Sequence, residues 1–213
     1  KVNDVIATLG TKVIIGDSIS FNDRRYIVSH NLFNSKFEML VYHKPCGEIV
    51  TLKDNANRKT VFESLPSVSG KWINIGRLDL DTSGLLLFTN NGDIANKMMH
   101  PSSNISRTYE VLLKGSFTDI KKNKCLNGLD IGMSETGKFD SVEKCNTTAN
   151  KYIITLKTGK NREVRRVFLT VNCTVINLKR IQYDNIKLDN LIVGEHRYLN
   201  EEEIKSLSMY LEK

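Results

Sequence analysis

Continuous and alternating apolar segments predict several short β-strands. Residues 39–42 and 84–88 are unbroken apolar runs of the length of a buried strand. Residues 106–113 alternate between apolar and polar side chains, which is typical of a strand with one buried face. Residues 152–157 and 175–181 have the same strand-like character. We therefore expect a large β-sheet component in this chain.

A different spacing predicts an amphipathic helix at residues 162–171. Val164, Val167, Phe168 and Val171 stand at positions i, i+3, i+4 and i+7, which fall on one face of a helix. This helix follows a turn after the strand at 152–157. The order strand, turn and helix places the start of the helix beside the end of a strand.

Capping residues predict three further helices. Asp93 is placed to cap a helix that follows the Asn91-Gly92 turn. Thr118 is placed to cap a helix at residues 118–126. Asn200 and Glu203 have the spacing of a capping box at the start of a closing helix. The apolar stripe of that helix would consist of Ile204, Leu207 and Leu211.

The first part of the chain predicts a small β-rich module. Residues 13–15 and 18–21 are expected to be strands, separated and followed by short polar turns. Residues 31–36 are short and polar, so we place the linker there. We therefore expect an α+β protein with a module at residues 1–34 and a domain at residues 35–213.

Composition and charge narrow the possible partners. The formal net charge is +7 and the pI is about 9.2, which favours an anionic partner, nucleic acid first, although a basic surface also serves solubility. The four cysteines form no Cys-x-x-Cys pair and have no histidine at metal-ligand spacing, so we expect reduced thiols in a cytosolic protein. No apolar run is long enough to cross a membrane.

Residues 76–93 are the stretch around which the chain is organised. The sequence Gly-Arg-Leu-Asp at 76–79 leads into the apolar run at 84–88, and Asn91-Gly92 then turns the chain. Asp79 is thus held between a tight loop and a rigid strand, which fixes the geometry of its carboxylate. An isolated aspartate in a loop could instead pair with Arg77 or cap a turn.

This stretch closely resembles the catalytic motif of the RsuA/RluB family of ribosomal RNA pseudouridine synthases. The family pattern is Gly-Arg-Leu-Asp, two variable residues, Thr or Ser, a small or variable residue and Gly, followed by an apolar run that ends in Thr and an Asn/Asp-Gly turn. The resemblance implies that Asp79 is the catalytic residue. It also implies a catalytic fold with a mostly antiparallel mixed sheet flanked by helices, and an active cleft across the sheet.

Other segments resemble further motifs of the same family. The segment at 107–111 is similar to the motif basic-x-Tyr-x-Val, in which the tyrosine stacks on the target base, so Tyr109 is expected to hold the uracil. The turn and helix at 159–166 are similar to a motif whose arginine pairs with the catalytic aspartate, and that arginine maps to Arg165. Leu178 matches a leucine that lines the uracil pocket, although ordinary core packing also explains it.

The basic residues near these motifs are expected to bind RNA. Arg162, Arg165 and Arg166 would share one face of the first helical turn, where like charges repel and the helix dipole disfavours cations. Such an arrangement indicates bound anions. Lys44 stands in the segment Lys-Pro-Cys-Gly, which resembles the family's opening motif. It could contact a substrate phosphate, and a solvated lysine explains it equally well. The expected RNA-binding side chains are Arg77, Lys44, Lys160, Arg162, Arg166, Leu178 and Arg180.

The resemblance implies the reaction and its requirements. A uridine of ribosomal RNA would be converted to pseudouridine with no cofactor and no metal. Residues 51–66 most resemble family members that act on large-subunit RNA, so 23S rRNA is the expected target, and a 16S or other RNA target stays open. Residues 1–28 resemble the second half of an S4 RNA-binding module, whose two basic helices we expect to precede Lys1. We expect a cytoplasmic monomer.

Two other classes of function remain as alternatives. The chain could be a non-catalytic RNA-binding or ribosome-assembly factor on the same fold, against which the combination of Asp79, Tyr109 and Arg165 argues. It could also be a hydrolase that uses Asp79 and Asp81 as a carboxylate pair. No third sequence element supports that pair.

Overall fold

The computed structural model describes residues 1–29, 36–146, 148–207 and 210. The chain divides into two compact units, Lys1–Phe37 and Glu38–Lys213. The boundary that we predicted between residues 34 and 35 lies outside the described residues, as does most of the predicted linker at 31–36.

The first unit contains an antiparallel hairpin. Strand β1 (Ser18–Phe21) pairs with β2 (Arg24–Ile27) through the turn Asn22-Asp23, in which both residues have positive φ. The strand predicted at residues 13–15 is not formed. Ile14 instead donates its amide to the Asp17 carboxylate at 2.8 Å, and Asp17 donates its own amide back to the Ile14 carbonyl, which closes a turn.

The second unit is built on a mixed sheet. The described strands of this unit are β3 Met39–Lys44, β4 Ile73–Ile75, β5 Ser83–Thr89, β6 Arg107–Lys114, β7 Leu129–Asp130, β8 Thr136–Gly137, β9 Ser141–Lys144, β10 Lys151–Leu156, β11 Thr174–Tyr183, β12 Ile186–Lys187 and β13 His196–Tyr198. The described strands of the mixed sheet run in the order β13-β3-β5-β11-β6-β10-β9, with β12 paired to β11 and β4 paired to β5. Strands β5 and β11 are parallel, and the other pairs are antiparallel. The predicted α+β fold with a mostly antiparallel mixed sheet is confirmed.

The described helices pack against this sheet. Helix α1 lies against β4 and β5, and α3 lies against β11 and the β7–β8 hairpin. The helices are α1 Gly92–Met99, α2 Asp119–Asn127, α3 Glu163–Thr170 and α4 Glu201–Ser206, with 3₁₀ turns at Val61–Ser64 and Pro101–Ser103. The predicted helix at 162–171 is therefore confirmed, and its apolar face at Val164, Val167 and Phe168 is buried.

The helix caps follow the sequence with one correction. Thr118 accepts from the amide of Lys121, and Asn200 forms the predicted capping box with Glu203. At α1, however, the cap is Asn91, whose side chain accepts from two backbone amides, and Asp93 lies in the first turn instead. Asn91 is the better placed residue because it precedes the helix. Leu211 of the predicted closing stripe lies outside the described residues.

One close contact at the centre of the sheet fixes the position of the candidate site. Gly84 of β5 pairs with Arg180 of β11 in the parallel part of the sheet. Gly84 has φ +108°, and a Cβ atom on it would lie 2.2 Å from the Arg180 carbonyl oxygen. Only glycine allows this approach of two backbones. The approach brings the end of the loop at 76–82 to the middle of the sheet.

Candidate active site

The loop at residues 76–82 connects β4 to β5 and carries Asp79. Its backbone closes on itself through a hydrogen bond from the Thr82 amide to the Asp79 carbonyl at 3.1 Å. The amide of Gly47 donates to the Leu80 carbonyl at 2.8 Å and ties the loop to the segment after β3. Asp79 is therefore held by backbone contacts on both sides, while its side chain stays partly exposed at 35%.

Lys44 holds this loop in place through hydrogen bonds to its backbone. Its ammonium donates to the carbonyls of Pro45, Asp79 and Thr82 at 2.9, 3.2 and 3.0 Å, and the residue is fully buried. Burial lowers the pKa of Lys44, and the nearby acidic groups, which include Cys46, Glu48, Asp79 and Asp81, oppose that shift. Our expectation that Lys44 contacts a substrate phosphate is wrong, because all three of its donors are used within the protein. Its part is to hold the loop that carries Asp79.

Asp79 borders a cavity of about 450 Å³, a volume within the range of small-molecule sites. Tyr109, Leu178, Thr82 and Val164 also contribute to its wall. Six cationic side chains line it, against two carboxylates, Asp79 and Glu163. The six are Arg77, Arg107, Lys160, Arg162, Arg165 and Arg180. Such an excess of positive charge in a concave site attracts anions.

Two neighbouring strands supply the floor of this cavity. Tyr109 on β6 lies directly opposite Arg180 on β11, so their side chains share one face of the sheet. Leu178 is two residues before Arg180 on the same strand and lies on the same face. Tyr109 is 9% exposed and Leu178 is 5% exposed, so both present small areas to the cavity. Tyr109 and Leu178 therefore border the same cavity as Asp79, and their expected contacts with the uracil stay predictions.

The start of α3 forms the opposite wall. Arg162 is the N-cap residue and has a left-handed backbone with φ 48°. The buried carboxylate of Glu163 accepts from the Thr158 hydroxyl at 2.7 Å and from the Lys160 amide at 3.0 Å, which fixes the turn before the helix. Arg107 donates to the Lys157 carbonyl at 2.6 Å and steadies the same turn. Arg107 is the basic residue of the motif that contains Tyr109, and we predicted no function for it from the sequence.

Asp81 is the centre of an ionic cluster at this wall. Arg162 binds its carboxylate with two hydrogen bonds of 3.0 and 2.9 Å. Arg162 also lies 3.7 Å from the nearer oxygen of Asp79. The hydrogen bonds from Arg162, followed by the charges of Arg165 and Arg162, lower the pKa of Asp81, so it is held as a carboxylate.

Arg165 pairs with Asp81 in this structure. Its Nη2 lies 3.2 Å from the Asp81 carboxylate and donates to the Asp81 carbonyl at 2.8 Å. Its Nη1 donates to the Val175 carbonyl at 3.2 Å. These contacts hold the guanidinium on the Asp81 side of the loop, so the expectation of an Arg165–Asp79 pair is wrong for this structure. The part of Arg165 in catalysis stays a prediction.

Arg166 does not face the cavity, contrary to our expectation of an RNA contact. It pairs with Glu135 at 2.6 Å and donates to the carbonyls of Ile131, Gly132 and Asn161. Its side chain is only 16% exposed. Four acceptors within the protein already use its donors, so Arg166 fastens α3 to the β7–β8 hairpin.

The other predicted RNA-binding residues differ in their availability. Arg77 is exposed at the edge of the cavity, and Arg162 has 44% of its side chain exposed. Lys160 lines the cavity and donates to the Thr136 carbonyl. Arg180 is 2% exposed, so the expectation that it binds a backbone phosphate at the surface is wrong. The alternation from Leu178 to Arg180 was the signal that both face the cavity.

Within the described ranges, the histidine, cysteine, aspartate and glutamate side chains form no group of three or more that could hold a metal ion. No helix in the described part of the chain has the length and apolar character needed to cross a bilayer.

The fold and the site define a class of protein, and comparison with known sequences agrees. The chain matches the RNA pseudouridylate synthase family over residues 38–170. A crystal structure of a pseudouridylate synthase has the same fold, with a TM-score of 0.74 and 24% identity over 97% of this chain and 87% of that one. The chain belongs to the RNA pseudouridylate synthase family.

Individual relatives carry a more specific name. Proteins named ribosomal large subunit pseudouridine synthase B are similar to this chain in Xylella fastidiosa (38% identical over 99% of this chain and 46% of the relative) and in Pseudomonas aeruginosa (37%, 98% and 55%). One from Buchnera aphidicola is 37% identical over 95% of this chain and 86% of its own length. The chain thus spans about half the length of the first two relatives.

Proposed function

We propose that this protein is a ribosomal RNA pseudouridine synthase that converts a uridine of large-subunit rRNA to pseudouridine. One arrangement carries the proposal. Asp79 stands at the edge of a basic cavity of about 450 Å³ with Tyr109 on its floor. A carboxylate beside an aromatic ring, inside a site rich in arginine, suits a nucleotide whose phosphates stay outside and whose base enters.

RNA binding is the first step. Arg77 and Arg162 are the exposed cations at the cavity and would contact backbone phosphates. A uridine in a duplex cannot reach Asp79, so it must be flipped out of its stack. Tyr109 then supplies an aromatic surface for the flipped uracil. The unstacking is offset by the phosphate contacts and by this new stacking.

Asp79 would act on the ribose of the flipped nucleotide. The N1–C1′ bond breaks, the uracil turns, and C5 forms the new bond to C1′. C5 then loses its proton and N1 ends protonated, so substrate and product are isomers and no oxidant or reductant is consumed. Asp79 could attack C1′ or remove a proton from C2′, and both routes need an ionised carboxylate. Arg162 lies 3.7 Å from the Asp79 carboxylate.

The large-subunit target is supported by two observations of similarity. Residues 51–66 resemble family members that act on large-subunit RNA, and the relatives described above carry that subunit in their names. A small-subunit 16S target is the alternative within the same reaction.

The hydrolase alternative requires Asp81 as a second acid or base. Asp81 is held as a carboxylate by Arg162 and Arg165, and its pKa is lowered rather than raised. A general acid needs the opposite shift. The cluster therefore favours an electrostatic part for Asp81. A non-catalytic assembly factor would not need Asp79 at the cavity edge.

The proposal is tested by release of tritium from RNA labelled at uracil C5. The purified chain is incubated with 23S and 16S rRNA transcripts, and pseudouridine is mapped in each. We expect tritium release with an intact 23S chain and one modified position. Asp79→Asn should lower the rate by about a thousandfold or more, which corresponds to about 4 kcal/mol. Cleavage of the RNA chain, or an Asp79→Asn variant that is still active, would refute the proposal. A pseudouridine in the 16S transcript instead of the 23S transcript would assign the activity to small-subunit rRNA.

We propose that the first unit assists RNA docking as part of an S4-like module. The hairpin β1–β2 carries Arg24 and Arg25, both exposed. Substituting both by glutamine should weaken RNA binding and flatten its dependence on salt, because fewer counterions are released. Unchanged affinity would exclude this role of the first unit.

We also propose that the protein acts as a cytoplasmic monomer. Gel filtration of the purified chain, with and without RNA, tests whether it is a monomer.

A further inference from the structure

Arg180 is a buried cation that the reaction described above does not yet use. It is 2% exposed, and its Nε donates to the Leu85 carbonyl at 2.7 Å. Its Nη2 is buried and has no hydrogen-bond partner. The ion pairs among the described residues do not include Arg180.

The surroundings of Arg180 offer only weak compensation for its charge. Its guanidinium lies 5.2 Å from the centre of the Tyr183 ring, and the guanidinium of Arg107 lies 5.1 Å from the same ring. One aromatic ring is thus shared by two cations. A buried guanidinium with an unused donor is unfavourable for stability unless a ligand supplies the missing acceptor. This points to an acceptor that arrives with the substrate.

The position of Arg180 indicates which part of the substrate reaches it. Arg180 lines the cavity and lies opposite Tyr109, the residue proposed to stack on the flipped base. The exposed cations Arg77 and Arg162 stand nearer to solvent, where the phosphates remain. A group at the floor of the cavity therefore meets the base and not the RNA backbone.

We propose that Arg180 donates a hydrogen bond to a carbonyl oxygen of the flipped uracil. This proposal rests on the proposed function and identifies the residue that reads the base. Uracil presents two carbonyl acceptors, O2 and O4. Cytosine replaces O4 with an amino group, which is a donor and would face the guanidinium unfavourably if that edge is the one read.

The symmetry of uracil gives this contact a second consequence. N1 and C5 exchange places when the detached base turns about the line from N3 to C6, and O2 and O4 exchange places as well. A donor fixed in the sheet therefore finds a carbonyl oxygen before the turn and another after it. Arg180 would hold the detached uracil in the cavity between bond breakage and bond formation, without itself moving.

The test uses a synthetic large-subunit rRNA stem-loop that carries the uridine modified by the parent chain. Three RNAs have uridine, 2-thiouridine or 4-thiouridine at that position, because a thiocarbonyl sulfur is a weaker acceptor than oxygen. Affinities are measured in the Asp79→Asn background, with and without Arg180→Met. Lys179→Met, which removes a cation from the opposite face of the same strand, is the matched control. If Arg180→Met melts too low to assay, Arg180→Leu replaces it, and affinities are measured at a temperature at which the variant stays folded.

We expect one of the thio substitutions to weaken binding by about tenfold to a hundredfold in chains that retain Arg180, the range for a charged hydrogen bond. In the Arg180 variant that difference should vanish, while Lys179→Met should keep it. Equal sensitivity with and without Arg180 would overturn the proposal. If the parent chain forms no pseudouridine in any RNA, the proposed function itself fails. If the parent chain forms pseudouridine but neither thio substitution changes RNA affinity, only the proposed contact between Arg180 and uracil is refuted.

Discussion

Arg165 and Asp81 are joined twice, through the Asp81 carboxylate at 3.2 Å and through its main-chain oxygen at 2.8 Å. Together with the two bonds from Arg162, these contacts make Asp81 an internal anion bound to two arginines that line the cavity. A phosphate of RNA would meet two arginines that are already occupied. Asp81 therefore competes with the substrate for the same donors.

Asp81→Asn is expected to tighten RNA binding by about threefold to tenfold, which corresponds to about 1 kcal/mol. The amide keeps the size of the side chain and frees the charge of Arg162 and Arg165. Affinity is measured over a series of salt concentrations, and the slope should become steeper because more counterions are released. Asp140→Asn, which removes an exposed carboxylate elsewhere, is the matched control. Weaker binding by Asp81→Asn would show that the carboxylate positions the arginines for RNA instead.

The longer strands of the sheet, the helix at 162–171 and most caps of this fold could be predicted from local patterns. The apolar run at 84–88 and the helical spacing from Val164 to Phe168 follow from the periodicity of buried faces, which is a local property. The capping box at Asn200 and Glu203 is equally local. The strand predicted at 13–15 is wrong because the Asp17 side chain accepts a hydrogen bond from the Ile14 amide and closes a turn. These residues therefore form no strand.

The partners of the arginines could not be predicted. Arg166 donates to carbonyls 34 and 35 residues away, and backbone carbonyls carry no signature in the sequence. The three arginines of α3 therefore looked equivalent although only one of them is largely exposed. Lys44 was misplaced for the same reason, since its three acceptors are main-chain oxygens.

Arg166→Ala is expected to destabilise the protein rather than weaken RNA binding. The substitution leaves Glu135 unpaired and removes the donors to three carbonyls. The expected loss is about 1–3 kcal/mol in the free energy of unfolding, because the Arg166 side chain is 16% exposed whereas that of Glu135 is 35% exposed and partly screened by solvent. Urea denaturation measures it, and RNA affinity at a temperature where the variant stays folded should match the parent. A stable variant with weak RNA binding would restore the original assignment of Arg166.

Gly84→Ala should be among the most damaging substitutions in this chain. The added Cβ would lie 2.2 Å from the Arg180 carbonyl oxygen, so β5 and β11 must separate. We expect a loss of about 4 kcal/mol or more, or no folded protein. Gly115→Ala is the matched control, because Gly115 has the same φ of +108° and its nearest neighbour would be 3.2 Å away. It should lose about 1–3 kcal/mol from backbone strain and from a tight contact with the Asn172 carbonyl oxygen. Similar losses of stability for the two variants would contradict the close approach of β5 and β11.

His43 gives the stability of the fold a dependence on pH. Burial lowers the pKa of His43, followed by the charge of Lys179, while its contact to the Leu191 carbonyl opposes the shift. The unfolded chain then binds a proton that the folded chain excludes, so stability is lost as pH falls below the ordinary histidine pKa of about 6.5. In His43→Gln the decline of melting temperature between pH 7 and pH 5 should be shallower, with His196→Gln as the control. An unchanged slope would mean that His43 is not the group responsible.

Arg165→Gln is expected to slow the chemical step, whereas Arg162→Gln is expected to weaken RNA binding. Arg165 is 15% exposed and holds the backbone two residues after Asp79 through the Asp81 carbonyl, so its loss should release the loop. We expect the single-turnover rate at saturating RNA to fall by about a hundredfold, which corresponds to about 2.7 kcal/mol. Arg162 is 44% exposed at the cavity and is the freer of the two to meet a phosphate. Its loss should raise the RNA dissociation constant several-fold and leave the saturated rate closer to the parent. Arg165→Lys, which keeps one donor and the charge, should recover part of the rate. If Arg165→Gln changes affinity alone, the loop does not depend on Arg165 and its predicted part in catalysis is wrong.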